Sequence, residues 1–155
     1  MCSESIEVQR NLKPLFPDLK KLKITLHTDL ENSCTTSDMI NCPPNLKSVS
    51  INNLKDDILP KICQPQITYL DCHSCKNLKN ISNVSQMENL KTLKIENANL
   101  MKLEGNFFEK NKNLQKLDLR KCKIKNVYNN SLNGLVNLED IVLEGNPIME
   151  IPSGK

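Results

Sequence analysis

At 155 residues the chain suits a single domain with one continuous core. Apolar residues make up 38%, aromatics only 3%, and Trp is absent, a poor supply for a compact globule but adequate for stacked layers of Leu and Ile. The 21 basic and 18 acidic residues leave a net charge of +3, spread along the chain without interleaved aromatics, which argues against a nucleic-acid partner.

Residues 1–18 read as a polar lead-in, poorly ordered or forming an N-terminal cap, and MCSESIEVQRNLK lacks the apolar run of a signal peptide. Leu19, Leu22 and Ile24 begin a first, imperfect repeat, with His27 as a turn residue. Residues 29–44 then break the pattern. They are rich in Ser, Thr and Asn, carry Cys34, Cys42 and the pair Pro43-Pro44, and read as an insertion loop. A second repeat starts at Leu46 with Val49 and Ile51, then Leu54, Ile58 and Ile62. The third places Ile67, Leu70 and Cys72 on its strand and Cys75 at its turn, followed by Leu78, Ile81 and Val84. No apolar run approaches the roughly 18 residues of a membrane span.

From Leu90 onward one phrase is repeated three times. Leu90, Leu93, Ile95, Leu100 and Leu103 match Leu114, Leu117, Leu119, Ile124 and Val127, and again Leu138, Ile141, Leu143, Ile148 and Ile151. The period is 24 residues, since 114 − 90 = 24 and 138 − 114 = 24. Within each copy the central L-x-L alternates with period two, so Leu117 and Leu119 face one way while Lys116, Asp118 and Arg120 face the other. That predicts a short half-buried strand, and the later apolar residues bring the chain back over the core. One such unit cannot bury its own apolar side, so neighbours must stack into a solenoid.

The pattern L-x-x-L-x-L-x-x-(Asn/Cys/small)-x-L resembles the leucine-rich repeat, over about residues 19–152 and most clearly after residue 90. The resemblance implies an α/β solenoid of about six repeats, starting near 19, 46, 67, 90, 114 and 138 and filling residues 19–155. Its parallel β-sheet lines the concave face, with short irregular, 3-10 or helical segments on the convex face. It also implies that Cys75, Ala98, Cys122 and Asn146 mark the turn out of the strand, where an Asn or Cys side chain bonds to backbone. Phe108 and Leu132, eighteen positions into their repeats, match a Phe that spans the convex side in extracellular-type repeats. The sixth copy stops at Ile151-Pro152-Ser153-Gly154-Lys155 before its return segment is complete. The expectation is a piece of a longer protein; the rival reading is a short protein that self-associates through this open end.

The function implied is a non-catalytic module that recognises a protein ligand, with no cofactor and no metal. The 24-residue repeats and the LEGNP ending look most like Toll-like receptor or Slit-like ectodomains, hence an extracellular, cell-surface setting within a larger receptor. The alternative is a cytosolic adaptor or substrate-receptor module. Binding is expected on the outward strand positions Tyr69, Asp71, His73, Thr92, Lys94, Glu96, Lys116, Asp118, Arg120, Asp140 and Glu144, with Tyr69 as the anchor. Along the stack the signs alternate in columns Asp71–Lys94–Asp118 and Glu96–Arg120–Glu144, so cross-strand ion pairs are expected there too.

Three weaker signals remain. Cys72-x-x-Cys75 has the spacing of half a zinc or redox site, but without a second such pair it reads as buried packing thiols. A Cys34–Cys42 disulfide fits the loop. Ser50, Asp71 and His73 supply the residue types of a hydrolase, yet nothing provides a nucleophile elbow or an oxyanion hole. Asn80, Asn83 and Asn129 sit in N-glycosylation sequons. With 21 Asn and 17 Ser plus Thr, about two are expected from composition (21 × 17/155).

Overall fold

The computed structural model describes residues 17–25, 43–61 and 66–151. Six strands form one parallel sheet: β1 (Lys21–Thr25), β2 (Ser48–Asn52), β3 (Tyr69–His73), β4 (Thr92–Glu96), β6 (Lys116–Asp118) and β8 (Asp140–Val142). Their spatial order is their sequence order, so each turn of chain lies directly on the one before. A second, two-stranded sheet of β5 (Lys102–Leu103) and β7 (Asn126–Val127) lies on the return side. This is the parallel β-solenoid that the repeats imply. Its return segments are a 3-10 helix, Ser82–Gln86, and irregular turns, with no α-helix among the described residues. The loop expected at 29–44 lies outside those residues apart from Pro43 and Pro44, and so do His27, Ile62, Cys2, Cys34, Cys42 and Cys63.

Period-two alternation is visible in the burial of β2 and β4, where Val49, Ile51, Leu93 and Ile95 are buried between half-exposed neighbours. The register aligns like with like: Val49, Leu70, Leu93, Leu117 and Ile141 are successive partners. One continuous core results, built of leucine and isoleucine layers closed on the return side by Phe108, Met87 and Val84. Phe108 is fully buried and meets Phe107 edge to face, with ring centroids 4.8 Å apart. Leu132, its counterpart one turn later, is partly buried against the same core. The final layer is less covered, and Ile141 is 40% exposed.

The chain leaves each strand through a left-handed residue. Asn53, Ser74, Asn97, Lys121 and Gly145, each seven positions after its repeat's first apolar residue, have φ between 54° and 70°. Asn and Gly tolerate this conformation with little strain, which suits them to the corner. Beyond the corner the turn position works as the resemblance implies. Asn146 accepts the Cys122 and Ile124 N–H groups (2.8 and 3.0 Å) and donates to the Leu119 and Leu143 carbonyls (2.7 and 2.8 Å). The Cys122 thiol lies 3.1 Å from the Ile95 carbonyl one turn back.

Side chains that looked like surface residues also tie the turns together. Asn113 and Asn137, each just before its repeat's first leucine, donate to the Glu88 and Lys112 carbonyls, and Gln66 reaches Pro43 in the same way. Buried Asn111 donates to the Val84 and Met87 carbonyls at the end of the 3-10 helix. Buried Ser131 donates to the Leu103 carbonyl (2.6 Å) and accepts the Tyr128 N–H (2.8 Å). Asn111 and Ser131 satisfy buried backbone groups that would otherwise be desolvated without a partner, at about 1–3 kcal/mol per group. Asn146→Ala orphans two donors and two acceptors at once. A loss of about 2–4 kcal/mol is expected, read as a fall in the urea midpoint at unchanged m value.

Candidate functional site: the concave face

The parallel register brings the outward side chains into rows across the sheet. Lys21, Ser48, Tyr69, Thr92, Lys116 and Asp140 form one row; Lys23, Ser50, Asp71, Lys94, Asp118 and Val142 form the next. Asn52, His73 and Glu96 begin a third, which the shorter β6 and β8 do not continue. Neighbours within a row are about 4.8 Å apart, as strand spacing requires.

The ion pairs differ from simple columns. Asp118 does sit beside Lys94 in register, but its partner is Arg120, two residues along its own chain, in a fork of two 2.9 Å bonds. β6 ends at Asp118, so Arg120 lies past the ladder and folds back instead of bridging Glu96 and Glu144. The fork partners Asp118, whose residue is only 4% exposed, and it pushes the Arg120 guanidinium pKa up. Glu96 is claimed by His73 Nδ1 at 2.9 Å and by Lys121 Nζ at 3.6 Å. Lys116 pairs with Asp140 across the β6–β8 boundary.

Asp71 is different. Burial raises its carboxyl pKa, and the nearby Lys94 and His73 charges only partly oppose that rise. Among the described residues no ion pair or hydrogen bond holds it. Lys94 instead lies over the Tyr69 ring, with Nζ 5.7 Å from the centroid. Tyr69, Asp71 and Lys94 therefore form a contiguous patch, half-buried and unsaturated, while the charges beside it are already matched.

A Ser/His/Asp arrangement is not what the sheet assembles. Ser50 and Asp71 are register partners, but His73 turns its Nδ1 to Glu96. The CxxC reading needs correction. Cys72 and Cys75 are not buried free thiols but a disulfide, because the corner at Ser74 brings their Cα atoms to 6.2 Å with both side chains inward. Cys122 is the buried free thiol, its pKa pushed up to about 12 mainly by burial, which leaves it unreactive near neutral pH. Among the described residues no three His, Cys, Asp or Glu side chains cluster to hold a metal, and no helix is long and apolar enough to cross a membrane.

With this geometry in hand, the family profile described as leucine rich repeat matches residues 88–148. The chain carries leucine-rich repeats. No curated protein matches it. Leucine-rich repeats are protein–protein interaction modules, and solenoids of this kind are typically non-enzymatic. In this one the rows of side chains on the sheet are a preorganised surface, since the four inner strands β2, β3, β4 and β6 are each paired on both edges.

The Asp71 carboxyl titrates above its unfolded value of 3.8, so its charged form opposes folding at neutral pH. Protonation favours the folded state as pH falls through the raised value. Asp71→Asn is therefore expected to stabilise the repeats at pH 7 by less than about 1 kcal/mol, the scale for a partly exposed charge. The gain should vanish below about pH 3.8, where both states of the wild type are protonated. Thermal melts of both proteins at pH 7 and pH 3.5 give the comparison.

Proposed function

We propose that the concave face recognises a protein partner, with Tyr69, Asp71 and Lys94 at the centre of the contact. The observation that carries this reading is the half-buried Asp71 carboxylate left without an ion pair on a face whose other central carboxylates are matched. A charge retained against stability is a mark of a working surface. Asp71 is suited to an Arg or Lys of the partner, and Tyr69 is the aromatic anchor beside it. His73, Thr92, Glu96, Lys116, Asp118, Arg120, Asp140 and Glu144 surround that centre and supply the polar rim.

A photo-crosslinking residue placed at Thr92 is expected to capture the partner from the source tissue, while one at Lys112 on the return side captures none. Tyr69→Ala and Asp71→Asn should each reduce the Thr92 adduct at least about tenfold, the loss of a contact worth about 1.4 kcal/mol. Capture that survives both substitutions would put the contact elsewhere, and the segment at 29–44 becomes the next candidate.

We further propose that the module works in an oxidising compartment, as a ligand-binding section of a receptor ectodomain. The Cys72–Cys75 disulfide supports this, since such bonds persist outside the cytosol. One sequon also fits, since Asn129 is exposed. Asn83 does not, because its Nδ2 donates to the Leu59 carbonyl of the turn before. The native protein is thus expected to lose mass on enzymatic removal of N-glycans, with attachment at Asn129 and none at Asn83. An unshifted mass together with reduced Cys72 and Cys75 would instead favour the cytosolic adaptor.

A further inference from the structure

The return side of the solenoid has its own ladder, and one rung of it is missing. The Lys79 N–H donates to the Asp57 carbonyl, the Lys125 N–H to Met101, and the Met149 N–H to Lys125. By the same step Met101 should donate to Lys79. Among the described residues it does not, and no backbone hydrogen bond joins 79–82 to 101–104. The bridge Ile58–Asn80 closes the ladder below the gap; β5, β7 and the bridge Asn126–Glu150 close it above.

Met101 shows how the gap arises. Its φ is +66°, a conformation that costs a side-chain-bearing residue energy, and the Lys102 N–H turns back to the Leu100 carbonyl, 2.7 Å away. The chain rolls away from the preceding turn, leaving the outer edge of β5 without a strand partner. The two returns also differ in form. The third repeat spans 23 residues (90 − 67) and returns through a 3-10 helix from Ser82, whereas the fourth spans 24 (114 − 90) and returns through turns at 105–110.

A cleft of about 320 Å³ occupies the gap. Ile81, Leu100, Leu103 and Phe107 make its apolar floor, and Lys79 and the Lys102–Glu104 ion pair stand at its rim. Among the described residues no carboxylate pairs with Lys79. We propose that this cleft binds an extended acidic-and-apolar peptide segment of a partner, added as a parallel or antiparallel strand to the free edge of β5. Main-chain hydrogen bonds to the Lys102 carbonyl and the Glu104 N–H supply the pairing, alternate apolar side chains enter the floor, and an acidic residue meets Lys79. The site lies across the solenoid from the concave face, so it is independent of the contact proposed there.

The test titrates the full ¹⁵N-labelled chain, freed of any N-glycan because Asn80 lines the mouth. The probe is a pool of blocked heptapeptides, Ser-Φ-Asp-Φ-Asp-Φ-Ser, with Φ as Val, Ile, Leu or Phe. Saturable shifts centred on Lys102, Leu103, Glu104 and Ile81 are expected below about 1 mM peptide, the range of weak strand addition. Methylating the peptide nitrogens along one edge should abolish them, because it removes the donors and leaves the side chains. Exposed Lys79→Glu, which leaves the core intact, should weaken binding roughly fivefold. The proposal fails if no member binds, if the methylated pool binds equally, or if the shifts fall on Tyr69 and Thr92 instead. It also fails if the cleft resonances respond to decanoate and not to the peptides.

Discussion

A single turn of this chain cannot cover its own leucines or satisfy its own strand edges, so each turn exists only through its neighbours. Strands of three to five residues are too short to persist alone, and pairing on both edges turns them into a sheet. From that coupling the rest follows. The alternation of side chains becomes an inside and an outside, and the left-handed corner recurs at one place in each repeat. Outward side chains stand at fixed spacing on that paired support. Such preorganisation removes part of the ordering cost that binding would otherwise carry.

The strands were legible in the sequence because the ladder imposes one solution on every repeat: inward leucines two apart at a constant offset. Val49, Leu70, Leu93, Leu117 and Ile141 had to align for the core to be continuous, and they do. The return side was less legible because it solves its polar accounting locally and differently each time. Asn111 and Ser131 are buried to serve carbonyls of other turns, yet by residue type they read as surface positions. The recurring Asn-Leu at 89–90, 113–114 and 137–138 was the available signal for the Asn113 and Asn137 bonds, since chance does not place an amide repeatedly before the same leucine. The Cys72–Cys75 bond depends on the corner at Ser74, a backbone feature that spacing alone does not encode.

Of the concave face, the row positions were legible and the pairing was not. Columns of opposite charge suggested bridges between strands, but the ends of strands decide which charges meet. β6 stops at Asp118, Arg120 reaches back along its own chain, and Lys121 rather than Arg120 approaches Glu96. The consequence is a face of low net field, in which local pairs neutralise most charges and long-range steering is weak. The groups left unmatched on this surface gather at Tyr69, Asp71 and Lys94, and the proposed contact is centred there for that reason.

The two sides of the solenoid differ in regularity. On the concave side a change from 23 to 24 residues is absorbed without loss: β3 and β4 pair along five residues, and the Lys91 and Thr92 N–H groups still find the Thr68 carbonyl. On the return side Met101 faces no rung, and a cleft lies at Ile81 and Leu103. The asymmetry is physical. The strand side is locked by inward leucines whose alternation tolerates no slip, because a slip of one residue would turn every leucine outward. The return segments carry no such alternation and can differ in length at small cost. A solenoid built from unequal repeats therefore keeps one continuous sheet while its return side varies from turn to turn, closed at Asp57 and Lys79 and open at Met101.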